Sequence, residues 1–307
     1  MIIEYLYTMV LESIINPKHI ENRKLWIFFL GIVYVLVGAA VAALIFTPQA
    51  SLIVVFFASI VAIPLMYNSI KNEELKDLED DVQESELLKE HFHVLEGYMS
   101  LFAGYCIGFS LLYIFISEGS LQDFFSMQHD ILLSIAGHAT ELSTGDVVSG
   151  FTTIFFNNLQ VLSLAIIFSF VFGAGAIFIL TWNASVIGAA IGNFIRGNIE
   201  ALELSMGLSG LCAQFIVYNF GFLRYVIHGV PEILAYFVGA LAGGIIAIAV
   251  IRHDFLSSKF EKVVLDSADL ILIAIGLLFI AALLEVVVTP YVFRVEYVDT
   301  LVNMCLI

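Results

Sequence analysis

Six polar side chains stand in sequence otherwise suited to hydrocarbon: Asn157, Asn158, Asn183, Arg224, His228 and Glu232. Their types are those that bind ions or relay protons, and in a bilayer core each must be satisfied, either as glue between helices or as part of a site. Asn157 and Asn158 project about 100° apart on a helix, so they cannot share one partner. Either one caps a span while the other bonds to a neighbouring helix, or their carbonyl oxygens coordinate a cation or solute. Asn183 is placed to cap the N-terminus of a short helix, whose partial positive charge could face an anion. Arg224 and Glu232 lie four residues either side of His228, around the sequence His-Gly-Val-Pro-Glu. A tight hairpin there pairs Arg224 with Glu232 across a solvated His228. Alternatively, His228 and Glu232 form a pH-sensitive pair that handles a proton or a metal. Glu285 is a further partner or an interfacial residue.

Other constellations carry less. Gly207-Leu208-Ser209-Gly210 matches the Gly-x-Ser-Gly pattern of intramembrane serine proteases of the rhomboid type. Its downstream histidines do not suit it: His228 lies about 28 Å further along the same span, and His253 follows the next one. His129, His138 and Glu141 lack a tight metal-ligand spacing, and the three cysteines, Cys106, Cys212 and Cys305, have no pair spacing. No enzymatic activity, metal or cofactor is expected.

The elements that must position these residues are transmembrane helices. Of the 307 residues, 61% are hydrophobic and 13% charged, and apolar runs of eighteen or more recur. The fold class expected is therefore all-α, a polytopic helical membrane protein whose partner is the lipid bilayer. The net charge of −16 argues against nucleic acid. The start of the chain lacks the basic leader and cleavage site of a signal peptide.

Four regions are expected. Residues 1–24 give an N-terminal interfacial helix, too short to span, and a basic flank. Residues 25–68 form a transmembrane hairpin. Residues 69–96 are an acidic cytoplasmic segment, with ten acidic residues against three lysines over 71–96. Their leucines recur at near-helical spacing, which predicts a charged helix or hairpin, either a solvated connection or a docking surface for a basic protein partner. Residues 97–307 form the main transmembrane domain, with an amphipathic external loop over 117–150 that contains no Lys or Arg.

Spans are expected at 25–46, 50–68, 97–116, 154–181, 207–227, 231–251 and 269–289, about seven in all. Residues 184–195 rise only about 18 Å and read as a re-entrant or interfacial half-helix. With a cytoplasmic N-terminus, ten of the twelve Lys and Arg residues fall inside, leaving Arg224 and Arg294 outside. Small-residue pairs, Gly38 with Ala42, Gly188 with Gly192 and Gly239 with Gly243, allow close helix approach and suggest a homodimer.

Several ordered motifs resemble the stage II sporulation protein M family. They are Phe151-x-x-Ile154-Phe155-Phe156-Asn157-Asn158, Phe172-Gly173-x-Gly175, Asn183, Gly188, His228-Gly229-x-x-Glu232, and Gly239-x-x-x-Gly243-Gly244. The resemblance implies a polytopic membrane protein without established catalysis. The family's namesake anchors cell-wall hydrolases at the membrane during engulfment in sporulation, whereas relatives also occur where no sporulation takes place. Ala184 stands where the family has glycine, and Ile227 where it has proline. Two functions fit: a scaffold or assembly protein of the cell membrane, or a transporter or channel built on the six polar residues. Convergence of those residues on one cavity favours transport; dispersal among helix contacts favours a scaffold.

Overall fold

The computed structural model describes the backbone of residues 24–45, 49–77, 84–142, 147–172, 176–203, 209–252 and 257–289. Side chains are described over 24–45, 49–64, 95–133, 147–171, 176–196, 226–251, 257–258 and 260–289. The expected helix over residues 2–15 lies outside these residues. Every described element is helical, as required of chain that must satisfy its own backbone polar groups in lipid. In chain order the helices are α1 (Lys24–Ile45), α2 (Ala50–Asp77), α3 (Glu84–Phe115), α4 (Glu118–Leu142), α5 (Val147–Phe172), α6 (Ala176–Glu203), α7 (Ser209–Arg252) and α8 (Ser258–Leu283). The last passes directly into a π-helical turn, Leu284–Val288. Ser257 caps α8 by accepting from the Phe260 amide at 3.2 Å.

Among the described residues, six stretches are long and apolar enough to cross a bilayer: Lys24–Ile45, Leu95–Phe115, Val147–Val171, Ala176–Arg196, Val226–Ile251 and Phe260–Val288. A shorter apolar stretch, Ala50–Pro64, opens α2. The chain is a polytopic helical membrane protein. Helix α7 runs through its middle, with 83% of its spanning window buried, against 22% for α5 and for α8. The difference follows from side-chain size. Ala235, Gly239, Ala240, Ala242 and Gly243 let neighbours close in on α7, whereas α8 turns Leu272, Phe279 and Ile280 outward.

The helices run in defined directions. A Cβ on Gly104 of α3 would lie 2.1 Å from the Phe28 carbonyl oxygen of α1, and one on Gly31 would lie 2.6 Å from Leu101 O. Those backbones touch because both positions are glycine. An ion pair between Lys24 and Glu96 closes the same interface at its start, so α1 and α3 are parallel. Gly188 of α6 meets Phe109 and Cys106 of α3, and Gly192 meets Tyr113, which makes α6 parallel to both. Gly239 and Gly243 of α7 pack on Leu162 and Ile166 of α5, again in parallel. The small residues expected to face a second copy are therefore occupied inside the chain.

Three expected boundaries are corrected. The predicted span over 154–181 joins two helices, since α5 ends at Phe172 and α6 begins at Ala176. Helix α6 continues unbroken through Asn183, so residues 184–195 are not a half-helix and Asn183 is not a cap. Asn183 donates to the Ile179 carbonyl four residues back at 2.8 Å, which satisfies it mid-helix without a break. The predicted spans 207–227 and 231–251 are one 44-residue helix with Pro231 inside it. Proline removes one backbone hydrogen bond and disfavours the helical conformation only locally, and transmembrane bundles tolerate it.

Helix α4 is also more than an interfacial element. Phe124, Phe125 and Gln128 are buried against the bundle, so one face is inserted among α2, α3 and α6.

Candidate functional site

The continuity of α7 decides how its polar residues can meet. Arg224, His228 and Glu232 follow at intervals of four, so their Cα positions share one helical face, with about 12 Å of rise from first to last. They are not opposed across a hairpin. The expected turn pairing of Arg224 with Glu232 is thereby excluded, and the Arg224 side chain lies outside the described residues. His228 is partly buried one turn from Glu232.

Glu232 is the centre of a small cluster drawn from three elements. Tyr236, one turn further along α7, donates its hydroxyl to Glu232 Oε1 at 2.8 Å. Asn158 of α5 lies against the same carboxylate, and Glu285 of the π-helical turn lies nearby. Asn158 is 7% exposed, and Tyr236 1%. The π-turn matters because a fifth residue per hydrogen-bonded ring shifts the register of α8 as it reaches Glu285.

The sequence-predicted residues thus separate. Asn158 and Glu232 come together. Asn157, its neighbour, is exposed on the outer side of α5. Asn183 serves its own helix. Neither asparagine of the pair caps a span, because α5 begins ten residues before Asn157, at Val147.

Three other polar contacts sit at separate helix interfaces. Gln128 of α4, fully buried, accepts from Ser51 Oγ of α2 at 2.7 Å and donates to Ser185 Oγ of α6 at 3.0 Å. The Tyr105 hydroxyl of α3 donates to the Ala58 carbonyl of α2 at 2.9 Å. At the other end of α3, the Tyr113 hydroxyl donates to Asn193 Oδ1 at 3.0 Å. Arg196 there donates to the Ile116 carbonyl at 3.0 Å and approaches Glu118 at 3.7 Å. Arg196 therefore ties the end of α3 to the start of α4, where its charge also suits the helix C-terminus.

Gln128 was legible as an amide on the apolar face of an amphipathic segment, one turn from Phe124 and Phe125. Tyr236 becomes legible as a partner only once Pro231 is placed inside a helix. Among the described residues no group of three His, Cys, Asp or Glu side chains could hold a metal ion. His129 points outward; the side chains of His138, Glu141 and Ser209 lie outside the described residues. Cys106 is buried in α3.

A family model described as Stage II sporulation protein M matches residues 52–290, from α2 through the π-turn. The chain belongs to that family. No curated protein and no solved structure gives a match.

Proposed function

We propose that this member of the family is a non-catalytic scaffold or assembly protein of the cell membrane. One observation carries the reading: several buried polar side chains are spent at separate helix interfaces. Gln128 joins α4 to α2 and α6; Tyr105 joins α3 to α2; Ser169 of α5 donates to Ala240 O of α7 at 2.6 Å. Such bonds hold helices in place, each contributing about 0.6 and at most about 2 kcal/mol.

The docking element of this scaffold is the acidic segment. Helices α2 and α3 both continue past their apolar stretches, to Asp77 and back from Glu84. They extend about 14 Å past Asn68 and about 16 Å before Leu95, a helical projection rich in Asp and Glu that suits a basic protein partner. Seven crossings, with α2 among them, agree with the parallel pairs α1, α3 and α6, and α5 and α7. A cytoplasmic N-terminus then leaves only Arg196, Arg224 and Arg294 outside among the twelve Lys and Arg residues, and places the acidic projection inside. Capture of partners by the full chain, with and without residues 71–96, tests the docking role; an unchanged partner set removes it.

A second reading, transport of a proton or small cation, is favoured by one observation. Glu232, Glu285, Asn158 and Tyr236 gather oxygen-bearing groups from three elements at membrane depth. Flux into proteoliposomes that disappears in Glu232→Gln supports it, and flux that survives the substitution counts against this site.

A further inference from the structure

Helix α5 carries a polar stripe on the side turned away from the bundle. Ser149, Thr153, Asn157 and Gln160 are all exposed on it, at intervals of four, four and three that align them on one face. Beyond them the same face continues with the apolar Leu164, 49% exposed. Asn157 lies about 15 Å, and Gln160 about 20 Å, along the apolar stretch that starts at Val147, so both amides fall in the middle of the hydrocarbon.

Their neighbours manage exposure differently. Thr152 donates to the Val148 carbonyl at 2.7 Å, and Ser163 to the Leu159 carbonyl at 2.8 Å, which settles each hydroxyl on its own helix. A carboxamide has two donor hydrogens and an acceptor oxygen, more than one such back-bond uses. Among the described residues neither Asn157 nor Gln160 has a hydrogen-bond partner. Lipid tails supply neither donor nor acceptor.

We infer that this face of α5 is the contact between two copies of the chain, with Asn157 and Gln160 bonded across a two-fold axis. Three features select a second copy as occupant. An amide is donor and acceptor at once, so identical amides facing each other across the axis satisfy both roles. The stripe carries no charge, so it asks for no oppositely charged partner. Ser149 and Thr153, small and one turn apart, let the two helices approach. The glycine faces that would otherwise serve are already packed within the chain.

The test uses the full chain in native membranes, in a background whose native cysteines are replaced. Thr153→Cys is expected to form an intermolecular disulfide on mild oxidation, while Leu272→Cys, on the exposed face of α8, is not. In nanodiscs, Asn157→Leu with Gln160→Leu is expected to lower the dimer fraction at least ten-fold, with thermal unfolding little changed because both side chains are exposed. A monomeric wild type, a dimer that survives the double substitution, or equal cross-linking at the two positions overturns the inference. Rapid labelling of Asn157→Cys by a membrane-impermeant maleimide also overturns it, since water rather than a second copy would then meet the stripe. The cross-linking arm stands whether or not the double variant folds.

Discussion

Ser51 donates to Gln128 at 2.7 Å, joining the first turn of α2 to a helix that begins 67 residues later, at Glu118. This bond and the one from Gln128 to Ser185 turn an amphipathic helix into part of the bundle. Gln128→Ala removes both, leaves Ser51 without its acceptor and opens a void at a fully buried position. A loss of about 2 kcal/mol or more is expected. Hydrogen exchange should rise first within α4. Exchange that rises uniformly along the chain would mean that Gln128 does not hold α4 in particular.

The glycine contact between α1 and α3 gives a sharper steric prediction. Gly104→Ala would put a methyl group 2.1 Å from a backbone oxygen, so the two helices must separate. Overpacking of this kind costs about 1–3 kcal/mol or more. Gly276→Ala in α8 meets open space and should be neutral or stabilising, by up to about 1 kcal/mol through helix propensity. Thermal unfolding in detergent compares them directly; equal effects would contradict the packing described.

Much of the architecture was legible in the sequence, and the errors have identifiable causes. Apolar runs identify membrane helices because lipid demands internally satisfied backbone, and that requirement does not depend on tertiary context. Boundaries depended on residues whose cost is set by context. Asn183 reads as a cap, yet a back-bond to Ile179 lets it sit mid-helix. Pro231 reads as a helix start, yet it lies inside α7, where it interrupts only local bonding. The candidate site was half legible: Asn158 and Glu232 meet, but which of two adjacent asparagines faces inward depends on the rotation of α5, and that is set by Gly239 and Gly243 on the neighbouring helix.

The cluster around Glu232 makes its own prediction. Tyr236→Phe removes the hydroxyl that donates to the carboxylate. In a scaffold, the loss appears as stability, about 0.6–2 kcal/mol. Asn158→Leu should cost a similar amount, and because both side chains meet Glu232 the double variant should depart from additivity by 0.5 kcal/mol or more, an order-of-magnitude expectation for residues sharing one partner. Strict additivity would show that Asn158 and Tyr236 do not act on a common group.

Arg196 is expected to govern the junction between α3 and α4. Arg196→Ala removes the donor to Ile116 O and the weaker contacts with Tyr113 O and Glu118. The expected loss is about 1–2 kcal/mol, because the guanidinium is only partly buried and its pair with the exposed Glu118 adds little. Glu118→Gln should therefore be nearly silent. A limited-proteolysis comparison near Ser117 checks both variants, and a large effect of Glu118→Gln would overturn the ranking.

We propose that the chain works by holding other proteins at the membrane, through the acidic projection formed by α2 and α3. The most direct test is quantitative capture of cross-linked partners by the full chain and by a variant in which the nine acidic residues from Glu73 to Glu90 are replaced with Asn and Gln, leaving Glu96 and its ion pair with Lys24 in place. The substitution keeps length and nearly keeps shape while removing the charge. Loss of most captured protein in the variant, with an unchanged unfolding temperature, is the predicted result. The same partners at the same yield from both chains would contradict it.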